Sequence, residues 1–174
     1  MEGQYWTASA MALPQLMLER LIQESSGPFR RTHCLDHPSL VYLPSPGTDP
    51  ALGCFGDPHS HRDFLPFGAA VLVPAHVPLH VMSPGCAERE MVIARFDRGT
   101  GHGSGPDPTA FAACADVRAP AVVDLMRRLA IEMARPAVAR ETMLSGLGLL
   151  VLAELARHFE RLRDGAKRRR GMLA

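Results

Sequence analysis

With 174 residues, a mass of 18.9 kDa and a net charge of +1, the chain suits a single domain and is not, as a whole, a strongly basic nucleic-acid binder. Its 47% hydrophobic and 21% charged residues lie near globular averages and exclude wholesale disorder. No stretch approaches the roughly 20 apolar residues of a bilayer-crossing helix, and the N-terminus has no basic segment followed by an apolar one, so neither a membrane span nor a signal peptide is expected.

Residues 1–27 read as an N-terminal arm. Within it, Leu13, Leu16/Met17 and Leu21 fit a short helix over 11–24, with Pro14 in its first turn. The stretch 28–118 is rich in Pro and Gly. Its apolar runs at 29–35, 40–43, 52–55, 68–73, 77–82 and 91–96 are short and bounded by Pro, Gly, Asp or Ser, as strands between turns are. Residues 45–50 and 83–85 are turns by composition, and 100–108 is a Gly/Pro-rich loop. This predicts an all-β unit, a small barrel or sandwich.

Beyond residue 118 the period changes. Val122, Leu125/Met126, Leu129 and Met133 recur at helical steps, with Pro120 in a first turn and Pro136 past the end. A second helix begins near Arg140 and carries Leu144, Leu147, Val151, Leu155, Phe159 and Leu162, with Gly165 as its terminator. Helices over about 119–134 and 140–164, joined by a short connection, form an antiparallel pair. The fold class is thus α+β. Leu149, Leu150 and Leu152 make the second helix apolar on more than one face, so it is covered either within the monomer or by a partner subunit. For the second case Leu147, Leu150, Val151 and Leu155 are the candidate interface of a homodimer.

Charge is unevenly placed. Residues 1–118 carry 8 Lys/Arg against 12 Asp/Glu (net −4), and residues 119–174 carry 11 against 6 (net +5). The excess peaks at Lys167-Arg168-Arg169-Arg170, which can meet phosphates but reads no bases. Cys34, Cys54, Cys86 and Cys114 form no C-x-x-C and fit reduced thiols in a cytoplasmic protein. No G-x-S-x-G, P-loop or dinucleotide glycine pattern occurs.

The order of parts supplies a resemblance. A Pro-bounded β unit containing Phe67-Gly-Ala-Ala-Val-Leu-Val-Pro-Ala-His76, strands at 77–82 and 91–97, and two helices ending in Leu155-Ala-Arg-His-Phe-Glu-Arg-Leu-Arg163 look like the N-terminal half of an AraC/XylS-type transcriptional regulator. The resemblance runs from about residue 28 onward and is one of layout. It implies a cupin-like effector-binding β-barrel at 28–118, a helical dimerisation element at 119–164 and a basic linker at 165–174. It implies a small-molecule effector, no cofactor, no catalytic residue, and DNA contact only through a C-terminal helix-turn-helix domain that is expected to be absent from this chain.

For such a sensor, Arg30, Arg31, Arg62, Arg89 and Arg95 can meet a carboxylate with bidentate geometry. Arg95 stands out within the apolar run Met91-Val-Ile-Ala-Arg95-Phe, although Asp97 or Glu90 could simply pair with it. His33, His76, His80 and Phe67 complete the candidate ligand site. His59 and His61 follow Gly53 as the opening of the cupin-enzyme metal motif does, and a metal-dependent cupin enzyme is the alternative function. The motif then fails, because its acidic slot holds Leu65 or Pro66. A ligand-free oligomerising scaffold is the third reading.

Overall fold

A computed structural model describes residues 4–25, 27–45, 50–57, 64–97, 107, 111–135 and 138–171, without the side chains of 4, 5, 86, 87 and 166–171. The described elements are β1 (Gln4–Leu13), β2 (Leu16–Ser25), β3 (Phe29–His33), β4 (Ser39–Tyr42), β5 (Leu52–Phe55), β6 (Leu65–Pro66), β7 (Ala70–Val73), β8 (Leu79–Ser83), β9 (Cys86–Phe96), α1 (Pro120–Ala134) and α2 (Arg140–Gly171). One antiparallel sheet has the order β1-β2-β9-β4-β7, and the other β3-β8-β5-β6. Most connections carry the chain from one sheet to the other, the winding of a double-sheet jelly roll.

The five-stranded sheet is the middle layer of three. Strand side chains alternate between faces, and here both faces are buried. Leu40, Tyr42, Ala70, Leu72, Val92, Ala94 and Phe96 pack on one side with Met126, Leu129 and Leu155 of the helices. Val71, Val73, Met91 and Ile93 point to the other side, where they meet Leu79 and Val81 of the second sheet. This explains the unbroken apolar runs Ala70-Val-Leu-Val73 and Met91-Val-Ile-Ala94, since a strand covered on both faces has no need of polar alternation.

The N-terminal segment departs from the helical expectation for 11–24. β1 and β2 form a hairpin in which Leu13 pairs with Leu16 across the turn residues Pro14 and Gln15. β2 then pairs with β9 from Leu16↔Phe96 onward. Leu16 and Leu18 face the helices, while Leu21 and Gln23 face the second sheet. The spacing that mimics a helix arises because apolar residues occupy both faces of one strand.

α1 begins at Pro120, where a missing N–H costs nothing. It buries Val122, Met126, Leu129, Ala130 and Met133. Its final carbonyls are capped from the next element. Arg140 donates from Nε to Glu132 O at 3.1 Å and from Nη2 to Met133 O at 2.7 Å. α2 does not stop at Gly165 but continues as helix to Gly171. One glycine costs a helix only ~1 kcal/mol, and Arg, Lys and Ala on either side are strong helix formers.

α2 also corrects the interface expectation. Leu147, Val151 and Leu155 are buried in this chain's own core, whereas Leu150 is 53% exposed. Over Arg140–Gly165 the helix has the length and composition to cross a bilayer, yet its Leu144–Leu155 stripe packs on the sheet. At the β8–β9 turn Gly85 has φ +100°, and a Cβ there would lie 2.6 Å from Gly27 O.

Fully buried Leu144 and exposed Leu150 give a contrast on one helix. Leu144→Ala is expected to cost about 2–5 kcal/mol of unfolding free energy, and Leu150→Ala under about 0.5 kcal/mol. Chemical denaturation of the two variants measures the difference, and equal costs would reject this packing.

Candidate functional site

A cavity of about 210 Å³ lies between the two sheets. Its apolar wall comes from both, with Leu21, Met91, Ile93 and Val71 on one side and Val81 and Phe67 on the other. Four polar side chains reach it: Gln23, His33, Arg89 and Arg95. Their arrival follows from alternation. Arg89, Met91, Ile93 and Arg95 are every second residue of β9 and share one face, and Gln23 is the cross-strand partner of Arg89.

The cavity's two ends differ. Near one end Arg95 Nη2 bonds Glu19 Oε2 at 2.7 Å, and Glu19 is only 9% exposed. Asp97 and Glu90 do not take this role. Glu90 lies on the opposite face, where Arg20 Nε reaches its Oε1 at 2.7 Å. Near the other end Gln23 is 2% exposed and its Nε2 has no hydrogen-bond partner; at the Glu19 end Arg95 Nε is likewise buried and unpartnered. Buried donors without acceptors are costly and uncommon. Burial lowers the pKa of His33, with the Arg31 charge acting in the same direction. The imidazole is therefore held neutral in a site that already contains two guanidinium groups.

Phe67 owes its place in the wall to Gly53. A Cβ at Gly53 would collide with the Phe67 ring, so the glycine on β5 leaves room for it. Phe67 N–H is fixed on Ala51 O at 2.9 Å.

Of the candidate ligand residues, Arg95, His33 and Phe67 meet in this cavity. His76 and His80 do not line it. His76 is exposed in the turn after β7, at φ 58°, with its N–H on Leu35 O at 2.7 Å. His80 points to the outer face of the second sheet, where Nε2 donates to Gly56 O at 2.8 Å and Nδ1 lies 2.9 Å from Thr32 Oγ1. That imidazole is a strand-to-strand tie. Sequence reasoning passed over Gln23 because 11–24 read as a helix; the i, i+2 placement of Leu21 and Gln23 was the available signal. His59 and His61 lie outside the described residues. Among the described residues no group of three His, Cys, Asp or Glu side chains could hold a metal ion. A larger groove, about 520 Å³, runs along Arg30, Leu52 and Met82 on the outside of the second sheet, where no facing layer encloses it.

No family model matches the sequence, and no curated protein matches it. Among solved structures, the chain is similar to hydroxypropylphosphonic acid epoxidase from S. wedmorenis, at 17% identity and TM-score 0.34 over 48% of this chain and 44% of that one. It is similar to a cupin family protein of double-stranded β-helix fold from Methanocaldococcus jannaschii, at 10% identity and TM-score 0.39 over 60% and 83%. It is also similar to a cupin domain from Bordetella pertussis, at 16% identity and TM-score 0.37 over 55% and 93%. The match to the HppE chains spans about half of their length. These likenesses concern the fold alone.

A histidine whose folded pKa lies below the unfolded value of ~6.5 binds fewer protons in the native state. Its contribution to stability is present above about pH 6.5 and is lost as pH falls below that value. The melting temperature is therefore expected to drop between pH 7.5 and 5, and to drop less in His33→Gln. His158, shifted downward by burial and Arg161, contributes to the remaining slope. Identical slopes in wild type and His33→Gln would refute this assignment.

Proposed function

We propose that the chain is a ligand-sensing domain of the kind that AraC/XylS-type transcription regulators carry, acting in the cytoplasm and holding a small-molecule effector between its two sheets. The observation that carries the proposal is the inter-sheet cavity itself, an apolar space in which buried polar atoms of Gln23 and Arg95 lack partners. Ligand pockets have this composition, apolar walls with a few placed polar groups. No nucleophile–base pair is assigned, and the function proposed is binding.

The layering supports a sensing mechanism. Met91 and Ile93 face the cavity, while Val92 and Ala94 between them face α1 and α2. One strand thickness separates ligand from helices. A ligand that prefers one arrangement of β9 biases the helices packed behind it, and can do so only by its differential affinity for the two arrangements. In a regulator, that bias reaches DNA through a helix-turn-helix domain tethered beyond the helices.

The same proposal includes a homodimer formed through the exposed face of α2, where Met143, Leu149 and Leu150 are 52%, 45% and 53% exposed. Met143 and Leu150, seven residues apart, share one flank of the helix, beside the buried stripe of Leu144, Val151 and Leu155, and Leu149 lies on the other flank.

Two measurements test this reading. Small apolar acids, amides and alcohols are screened by thermal unfolding. A binder is expected to stabilise the native state by about 2.7 kcal/mol at a hundred times its Kd, and Val81→Phe, which fills the cavity, is expected to abolish the effect. No stabilisation by any compound would count against a ligand site. Separately, Leu150→Glu is expected to halve the sedimenting mass while leaving the circular dichroism of the β unit intact. A wild-type protein that sediments as a monomer would reject the dimer.

A further inference from the structure

We propose that the Gln23–Arg89 end of the cavity is a carboxylate seat, and that the ligand is a small apolar monocarboxylate with its charge against Arg89 and its body between the sheets. This deepens the ligand-site reading above and rests on it.

The two cavity arginines do not act as one clamp. They stand six residues apart on β9, a separation of roughly 20 Å at about 3.4 Å per residue. Each serves its own end, and the two ends are balanced differently. Arg95 already has a carboxylate, Glu19 Oε2 at 2.7 Å. Arg89 has none. Its chain neighbours Glu88 and Glu90 alternate to the other face of β9, where Arg20 engages Glu90. Among the described residues Arg89 forms no ion pair. Directly across from it stands Gln23, 2% exposed, with Nε2 lacking an acceptor.

One cation and one buried amide donor therefore converge at a place where, among the described residues, no carboxylate pairs with the cation. Water can satisfy the amide but leaves the charge uncompensated. A carboxylate satisfies both, taking two N–H bonds from the planar guanidinium or one from it and one from Gln23. The charge balance selects a monoanion, since Glu19 neutralises Arg95 and burial favours neutral His33, leaving Arg89 as the one uncompensated charge among the described residues of the cavity. The size limit is equally direct. A space of about 210 Å³ suits a small body such as a single ring or a short branched chain. Leu21, Met91 and Val81 line the space that such a body would fill.

Calorimetric titration of the whole chain with phenylacetate and 3-methylbutanoate, against phenylacetamide and 3-methylbutanamide, tests the seat. The acids are expected to bind at least tenfold more tightly than their amides. Arg89→Met is expected to remove that preference by lowering acid affinity at least tenfold, and Gln23→Leu to weaken acid binding about tenfold. Should Arg89→Met not fold, Arg89→Lys keeps the charge without the fork and is expected to show a reduced preference. Acids and amides of equal affinity in the wild type would overturn the carboxylate seat and leave the cavity as a site for neutral ligands. So would an acid preference undiminished in both Arg89 variants. Failure of all four compounds and of the wider screen to bind would remove the ligand-site reading, and the seat with it.

Discussion

A sheet buried on both faces is the constraint on which the other features depend. β9, β4 and β7 sit between the helices and the second sheet, so each residue along them commits its side chain to one of two interiors. There is almost no position on these strands where a polar side chain is free of consequence. Those that occur are therefore informative. Arg89 and Arg95 on β9, and Glu19 and Gln23 on β2, project to the inter-sheet side, while Arg20 and Glu90 of the same strands pair with each other on the opposite face. The helix side is a dry, close-packed layer of Leu, Val, Phe and Met. The two faces of one sheet thus divide the work: one fixes the helices, and the other tolerates a hole with charges in it.

That division makes the cavity compatible with a stable fold. An unfilled space and unpartnered buried donors both lower stability. Here the cavity and the unpartnered donors of Gln23 and Arg95 share one interface, while the continuous cluster of Leu18, Leu40, Leu72, Phe96, Met126, Leu129, Leu144 and Leu155 on the other side supplies compensating apolar burial. Residues spent on recognition reduce the packing of one layer only. Gly53 shows the same economy, giving up a side chain so that the Phe67 ring can close the wall.

Much of this was legible in the residues, and what was not has identifiable causes. Both helices begin where expected because Pro120 and the apolar period act locally. Six strands could be read because Pro, Gly and Asp bracket them. The N-terminal hairpin could not, because Leu16, Met17, Leu18 and Leu21 load both faces of β2 and blur its period of two. Arg95 was conspicuous as a lone charge in an apolar strand, while its partner Glu19 comes from a segment 76 positions away in the numbering. His80 has the chemistry of a pocket residue, but its strand parity sends it outward to Thr32 and Gly56. Leu147, Val151 and Leu155 share the apolar character of Leu150, and only the tertiary fold separates those that cover the sheet from the one left outside.

The winding of the strands has a consequence for how the molecule opens. β2, among the first strands of the chain, pairs along its length with β9, the last, and the Arg20–Glu90 bond closes a span of 70 residues. Neither sheet is built only from strands consecutive in the chain. Pairings of such long range make folding slow and all-or-none, since the loop entropy is lost before the contacts that offset it are formed. A molecule lodged between the sheets is consequently enclosed by strands from both ends of the chain at once. The strands of the two sheets alternate along the chain, so the dissociation rate of a bound ligand is coupled to the cooperativity of the sandwich rather than to the fraying of a single loop.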